Sequence, residues 1–325
     1  MKKWRFLLVG ALALSLAACG DEEVEKNDSK ADTEVVENDK AKEVSQAGPV
    51  KFVDALGNEH EFETAPASIA TLDPGVMDIL VELGANITGR PQVSSELEED
   101  VAAIQELGNP HEPSFEQIAA LNPEVLIVPP SFAQFASTIE ATGIKVVYES
   151  MQSIEDIQST VTRYGELFGK QAEATKINDE ITKAIGESVE STQDALIVYG
   201  APGTYMAALN NSLYGDILAK AGGNNIAADL PGLDKYPSYA TLSAEKIVEG
   251  NPKLIMLITH ANPEMVQAGF EQQMSENPAW KNIDAVKNGQ IVILPSVLFD
   301  NPGTQVIEAV DYMRDLLTKA EEAAK

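Results

Sequence analysis

Two of the three histidines in this 325-residue sequence lie in turns where an imidazole could bind a ligand. His111 stands between two prolines in the segment 108–113, and because proline fixes φ and favours an extended residue before it, the loop is stiff. His260 follows the apolar, strand-like run 254–258, which Pro263 prevents from continuing. One histidine in a rigid loop of each half of the chain is what a cleft between two lobes needs to hold a ligand from both sides.

The remaining histidine, His60, lies on the polar side of a pattern that is typical of a β-hairpin. Residues 50–55 and 60–63 alternate between apolar and polar types around the turn 56–58. We therefore predict that His60 is a surface histidine.

Other kinds of site chemistry have weaker support in the sequence. It contains no nucleophile elbow, HExxH or paired-histidine motif, and the glycine-rich turn 200–205 has neither Walker spacing nor a following lysine. A zinc or manganese site needs three or four histidine and carboxylate ligands, so two histidines fall short unless Asp300 or Asp73 joins them. We predict a binding protein and not an enzyme, and a purely structural role for both loop histidines stays open.

The first 49 residues predict targeting and tethering segments. Residues 1–19 have a basic start, an apolar core and a small-residue end, which is typical of a signal peptide. They close on a sequence that looks like a bacterial lipobox, in which Cys19 becomes the lipidated residue. Cys19 is also the only cysteine, so no disulfide within the chain can stabilise the fold. Residues 20–49 are polar and acidic, which predicts a disordered tether.

The formal net charge of −28 limits the partners of this chain. Nucleic acid and an anionic membrane surface would both repel it. We therefore expect no nucleic-acid partner, and a membrane contact through the lipid anchor alone.

From residue 50 onward, strand patterns alternate with helix patterns. Residues 68–72 read as a strand, residues 76–83 as a helix and residues 86–89 as a second strand, which is typical of a parallel α/β fold. Residues 153–191 carry a long helical pattern with a break near Gly169.

These patterns predict the domain organisation. We predict an α/β fold with two Rossmann-like lobes, residues 50–168 and 193–325, joined by a single long α-helix at 169–192. An internal repeat supports two similar lobes, because serine, glutamate, isoleucine, asparagine and proline recur at identical offsets in 114–127 and 243–256. In each copy the serine can cap a short helix, and Asn-Pro ends that helix before an apolar strand.

Together these features resemble the lipid-anchored substrate-binding proteins of ABC importers for iron-siderophores, haem and cobalamin. The resemblance covers essentially the whole chain from residue 50. It is strongest to the haem-binding lipoproteins of the iron-regulated surface determinant system of Gram-positive bacteria, and it is carried by residues 108–113, 196–223 and 259–288. It implies a periplasmic-binding-protein-like fold of the type with a helical backbone between its lobes.

The resemblance also implies a role in transport. We expect a protein anchored through Cys19 to the outer face of the cell membrane, which delivers haem to an ABC permease dimer for iron acquisition. The haem is the transported ligand and would come from surface haemoproteins.

The resemblance further implies how the iron is held. In these relatives a methionine of the first lobe and a histidine of the second lobe hold haem iron. His260 matches that histidine, and His111 stands where the methionine is expected. Imidazole is a good axial ligand, and two of them give a typically low-spin site with a lower potential than a Met/His pair. We therefore predict His111 and His260 as the axial ligands.

Further residues receive roles by the same resemblance. Glu116 and Glu245, the repeated glutamates, match the acidic residues that dock on arginines of the permease. Four residues near the expected cleft are predicted as haem neighbours: Asp73, Val76, Arg90 and Tyr205.

A ferric siderophore or cobalamin bound by the same fold is the alternative ligand. A catecholate siderophore carries negative charge and would require several arginines or lysines in the cleft. Between residue 50 and the last helix the sequence contains two arginines, Arg90 and Arg163, and Arg163 lies in the helical region. Zinc or manganese is the less expected ligand, because of the number of side chains it requires.

Overall fold

The computed structural model describes residues 49–186, 193–201 and 203–323 of the chain. The predictions for Cys19, for the signal peptide and for the tether lie outside these residues, apart from the last residue of the tether. Within them the chain builds a β-hairpin and two larger β-sheets covered by helices.

The first lobe contains a β-hairpin and a five-stranded parallel sheet. Its strands are β1 (Val50–Val53), β2 (Glu59–Phe62), β3 (Ile69–Thr71), β4 (Ile87–Arg90), β5 (Gln105–Glu106), β6 (Val125–Val128) and β7 (Lys145–Tyr148). Its helices are α1 (Pro74–Glu82), α2 (Glu99–Ala102), α3 (Phe115–Leu121) and α4 (Ala133–Glu140), with a 3-10 turn at Pro130–Phe132. The sheet order is β5-β4-β3-β6-β7, and all of its neighbours are parallel. Such a sheet is covered on both faces, and every residue of β6 is buried.

Two antiparallel helices follow, α5 (Ile154–Leu167) and α6 (Gln171–Ile185). The chain breaks between them at Gly169, whose φ of 66° is in the left-handed region that favours glycine. The two helices pack closely at Gly165, where an added Cβ would meet the Cβ of Ala174 at 2.4 Å. The predicted connecting helix, residues 169–192, thus contains α6, and residues 187–192 lie outside the described part of the chain.

The second lobe contains a mixed six-stranded sheet. Its strands are β8 (Gln193–Ala201), β9 (Thr204–Ala208), β10 (Gly223–Asn225), β11 (Tyr239–Thr241), β12 (Leu254–Ile258) and β13 (Ile291–Ile293). Its helices are α7 (Leu213–Ala221), α8 (Ala244–Gly250), α9 (Pro263–Glu276), α10 (Asp284–Lys287), α11 (Ser296–Phe299) and α12 (Val306–Ala323), with 3-10 turns at Trp280–Asn282 and Gly303–Gln305. The sheet order is β11-β9-β8-β12-β13, with β10 also paired to β8. Strands β8, β12 and β13 are parallel neighbours, which confirms the predicted α/β fold.

The internal repeat is visible in both lobes. Helices α3 and α8 each end at an asparagine in the left-handed conformation, Asn122 with φ 46° and Asn251 with φ 38°. The predicted serine cap forms in the second copy, where Ser243 accepts a hydrogen bond from the backbone of Lys246. It does not form in the first copy, where Ser114 has a ψ of 87° and its side chain accepts no capping hydrogen bond.

The prediction that His60 lies on the surface is wrong. Its side chain is 8% exposed, and Nε2 lies 2.8 Å from Oδ2 of Asp54, whose side chain is fully buried. The same carboxylate accepts hydrogen bonds from the backbone of Asn58 and of Tyr148 in β7. His60 lies on the inner face of the hairpin, paired with Phe52 and beside Phe62, whereas Lys51, Glu59 and Glu61 form the exposed face. The two-residue alternation counted from Phe62 therefore places His60 on the buried side.

Polar contacts hold the two lobes together beside helix α1. The Asp78 carboxylate accepts hydrogen bonds from the backbone N–H and the hydroxyl of Thr304, both at 2.7 Å, and one from the side chain of Gln305 at 3.0 Å. On the other side, Ile154 N–H at the start of α5 donates to Asp216 of α7 at 2.8 Å. These contacts fix the middle of α1 and the first residue of α5 against the second lobe.

Candidate functional site

A cleft of about 520 Å³ lies between the two lobes, and both loop histidines line it. Its volume is in the range of small-molecule sites, about 300–1,000 Å³. His111 lies beyond the carboxyl end of β5, and His260 lies directly beyond that of β12. Because the carboxyl ends of parallel strands meet at one edge of a sheet, each lobe presents its histidine from that edge, where α/β folds commonly bind ligands.

His111 is held on a tight turn. Gly108 begins the turn with φ 86°, and a Cβ there would meet the carbonyl oxygen of Glu112 at 2.6 Å, so the position requires glycine. The Asn109 side chain accepts hydrogen bonds from the backbone N–H groups of His111 and Glu112, each at 3.0 Å. The turn thus fixes the backbone of His111, while its ring has no hydrogen-bond partner among the described residues.

His260 has a carboxylate partner. Its Nδ1 lies 3.0 Å from Oδ2 of Asp300, and its side chain is 60% exposed in the cleft. The hydrogen bond to Asp300 raises the pKa of His260, although burial of the ring acts in the opposite direction. The ring also packs against Tyr199 of β8, with ring centroids 5.7 Å apart. Because a carboxylate only accepts, neutral His260 carries its proton on Nδ1 and leaves Nε2 as the free lone pair.

The rest of the cleft combines an apolar wall with carboxylates. Seven apolar side chains line it: Leu72, Met77, Val81, Val93, Leu97, Val101 and Val297. Five acidic residues also line it: Asp78, Glu82, Glu96, Glu98 and Asp300. No lysine or arginine occurs among the described lining residues. The cleft therefore offers a ligand an apolar wall and two imidazoles, and its electrostatic potential disfavours anionic groups inside it.

Two predicted haem neighbours, Asp73 and Val76, belong to the start of α1. The side chain of Val76 is fully buried in the core. Asp73 Oδ1 accepts hydrogen bonds from the N–H groups of Gly75 and Val76 at 2.9 and 3.0 Å, so these amides already have a partner. Burial raises the pKa of Asp73 to about 6. Asp73 itself does not line the cleft, but its two neighbours in the chain, Leu72 and Pro74, do.

The other two predicted neighbours, Arg90 and Tyr205, are held by partners of their own. Arg90 donates to the Glu106 carboxylate at 2.9 Å and to the Pro91 carbonyl at 3.0 Å. The Tyr205 hydroxyl donates to the carbonyl of Val266 at 3.1 Å. Neither residue lines the cleft.

The two repeated glutamates occupy equivalent positions in the two lobes. Glu116 lies in the first turn of α3 and Glu245 in the first turn of α8, and both side chains lie at the lobe surface. A carboxylate there interacts favourably with the helix dipole, whether or not it also meets a partner.

Sequence reasoning missed the segment 92–98, which supplies much of the cleft wall. This segment follows β4, and the Gln92 N–H donates to the Gly108 carbonyl at 2.7 Å, so it lies beside the His111 turn. The signal that could have indicated it is its place after the carboxyl end of a parallel strand.

Two kinds of feature are absent from the described residues. No group of three or more histidine, cysteine, aspartate or glutamate side chains among them is placed to hold a metal ion, which is the ligand number that the zinc or manganese alternative requires. No helix within residues 49–186, 193–201 and 203–323 has both the length and the apolar character to cross a bilayer.

Comparisons with known proteins agree with this architecture. Residues 69–298 match the model of the periplasmic binding protein family. The high-affinity heme uptake system protein IsdE of Staphylococcus aureus strain Newman is 28% identical over 250 residues, which cover 74% of this chain and 81% of the relative.

Solved structures agree as well. An ABC transporter substrate-binding protein from Listeria monocytogenes EGD-e is 26% identical with a TM-score of 0.66, covering 79% of this chain and 100% of that one. The structure of S. aureus IsdE complexed with heme has a TM-score of 0.66 at 24% identity, covering 77% of this chain and 98% of the other, and so supports the fold.

Proposed function

Because this chain belongs to the periplasmic binding protein family, we propose that it captures haem in the cleft between its lobes and delivers it to an ABC importer. Members of this family bind solutes, which agrees with the prediction that the chain is not an enzyme. In the proposed complex, His111 and His260 are the two axial ligands of the iron.

The observation that carries this proposal is the convergence of both histidines on one cleft. Imidazole is a strong axial ligand of haem iron, and the apolar lining suits the porphyrin face. The relative IsdE is named for heme uptake, and its similarity to this chain supports the same ligand here.

The charge of the cleft favours haem over an anionic iron chelate. A catecholate complex would meet five lining carboxylates and none of the described lining residues would offer it a cation. Haem carries its negative charge on two propionates at one edge, so it can enter with that edge towards solvent.

Delivery to the importer uses other surfaces. Glu116 and Glu245 are exposed at equivalent positions of the two lobes, and we propose that they dock on basic residues of a permease dimer. Cys19, at the end of the signal-like sequence, is proposed as the lipid attachment site that keeps the protein on the outer face of the cell membrane. Haemoproteins at the cell surface are the proposed haem donors.

A hemin titration tests the proposal. The soluble chain from residue 20 is titrated with hemin and followed by absorption, beside His111→Ala and His260→Ala. We expect a stoichiometric Soret band with low-spin visible bands, altered by either substitution.

Three other results have distinct meanings. A spectrum sensitive to His260→Ala alone would remove His111 from the ligand set. A spectrum that neither substitution alters would mean that the iron is bound elsewhere. Absence of a specific spectrum would refute haem binding, and ferric siderophores would be the next ligands to titrate.

A further inference from the structure

The second lobe surrounds His260 with a support that the first lobe does not give to His111. Asp300 holds Nδ1 of His260 at 3.0 Å through one carboxylate oxygen. Its other oxygen accepts a hydrogen bond from the Tyr214 hydroxyl at 3.1 Å. Tyr214 is 7% exposed, so this second bond anchors Asp300 from the protein interior.

The backbone of Asp300 is fixed as well. Helix α11 follows strand β13, which is the parallel neighbour of β12, and His260 follows β12. The Asp300 N–H donates to the Ser296 carbonyl at 2.9 Å, which closes the turn of α11. Asp300 and His260 therefore meet because two adjacent parallel strands end at the same sheet edge.

This arrangement determines which nitrogen of His260 faces the cleft. With Nδ1 donating to Asp300, Nε2 carries the lone pair that a metal needs. An outer-shell carboxylate fixes the tautomer and the ring orientation, and makes the imidazole more basic. A more basic ligand donates more charge to iron and so favours the ferric state.

We propose that Asp300 is a positioning residue for the bound ligand: it orients His260 towards the haem iron, strengthens that axial bond and stabilises ferric haem. This inference rests on the proposed haem function. It makes the two axial ligands unequal, with His260 held and activated by Asp300, and His111 held by its backbone turn alone.

The test compares Asp300→Asn, Asp300→Glu and Tyr214→Phe with the wild-type protein. Asp315→Asn is the matched control, because it makes the same substitution at an exposed residue of α12 that does not line the cleft. For each variant we would measure ferric haem affinity, the reduction potential of the bound haem and the thermal unfolding temperature.

Asp300→Asn should weaken ferric haem binding about 10–100-fold and raise the reduction potential, with an unchanged unfolding temperature. Asp300→Glu should change the affinity and the reduction potential less than Asp300→Asn does, since a carboxylate remains. Tyr214→Phe should shift both readouts in the direction of Asp300→Asn by a smaller amount, and Asp315→Asn should match wild type.

Failure of this inference differs from failure of the proposed function. If wild type binds haem through His260 while Asp300→Asn changes neither affinity nor potential, Asp300 has no positioning role and haem binding stands. If Asp300→Asn lowers affinity and unfolding temperature together with no change in potential, Asp300 is a structural residue only. If wild type forms no specific haem complex, both ideas fail.

Discussion

This protein contains two histidine–aspartate pairs of nearly equal geometry in very different surroundings. His60 and Asp54 lie 2.8 Å apart with side chains 8% and 0% exposed, away from the cleft. His260 and Asp300 lie 3.0 Å apart with side chains 60% and 14% exposed, in the cleft wall. The buried pair uses its hydrogen bond to fasten a hairpin to β7, whereas the cleft pair leaves one ring nitrogen available. Burial, and not the pairing itself, separates a structural histidine from a candidate ligand.

The largest expected effect comes from removing His60. His60→Ala leaves the buried Asp54 carboxylate without its ring partner, and a buried charged group that loses a hydrogen-bond partner typically costs about 3 kcal/mol or more. Urea unfolding should show this loss, while haem affinity should match wild type. Reduced haem affinity in a fully folded His60→Ala variant would contradict the assignment of a purely structural role to the His60–Asp54 pair.

The converse change, His260→Ala, should weaken haem binding without lowering the stability of the fold. Loss of an iron ligand should lower haem affinity by more than about 100-fold, which is the most that removal of an outer-shell partner typically costs. Its side chain is largely exposed, so the free energy of unfolding should change by less than about 0.5 kcal/mol. Hemin titration and urea unfolding on the same sample measure both quantities, and a strongly destabilised variant would show that this pair is also structural.

The sequence predicts the loop positions of the cleft histidines better than it predicts the partners of His60 and His260. His111 and His260 each follow a strand and precede a proline, and these local signals correctly indicate cleft loops. The carboxylate partner of His60, Asp54, is tied to Tyr148 in β7, and the support of His260 depends on Asp300 beyond β13. No local pattern reports such contacts, because they arise only when distant strands become neighbours.

The same limit explains the haem neighbours predicted from the sequence. Arg90 is predicted to lie in a loop that faces the cleft, but it is the last residue of strand β4. Its guanidinium instead pairs with Glu106, the neighbouring residue on the adjacent strand β5. Position along the chain predicts the edge of the sheet, whereas side-chain partners decide what an individual residue contacts there.

The buried pair should also give the fold a distinctive acid response. Burial alone would raise the pKa of Asp54, but hydrogen bonds from His60, Asn58 and the backbone outweigh it and lower the pKa to about 2. A carboxylate with a lowered folded pKa adds stability that is fully present above its unfolded pKa and is lost as pH falls through the folded value. The stabilisation, on the order of 2 kcal/mol, should therefore disappear between about pH 4 and pH 2.

Asp54→Asn provides the reference for that response. The difference in unfolding free energy between wild type and Asp54→Asn should be present at about pH 5 and should shrink below about pH 4. A difference independent of pH down to about 2 would mean that the Asp54 charge contributes nothing. Asp300→Asn, measured in parallel, should show no comparable stability difference, because that pair is more exposed.

A smaller effect on haem binding is expected from replacing His111, the proposed axial ligand whose ring has no partner among the described residues. His111→Met gives the first lobe the thioether that the family resemblance leads one to expect there. Because a ligand is retained, haem affinity should change by less than about tenfold, below the usual cost of losing an outer-shell partner. The reduction potential should rise, since a Met/His pair raises it relative to two imidazoles. An unchanged potential and spectrum would indicate that residue 111 does not contact the iron.

The smallest effect should come from changing the ligand and leaving the protein unaltered. The cleft pair lies among carboxylates, and none of the described lining residues is a lysine or arginine, so the propionates should face solvent. Exposed charge interactions contribute about 0–1 kcal/mol, so haem dimethyl ester should bind within about fivefold of haem. A much weaker ester complex would mean that cations outside the cleft lining hold the propionates. A much tighter one would mean that the acidic wall repels them, and Glu96→Gln should then recover part of the difference for haem.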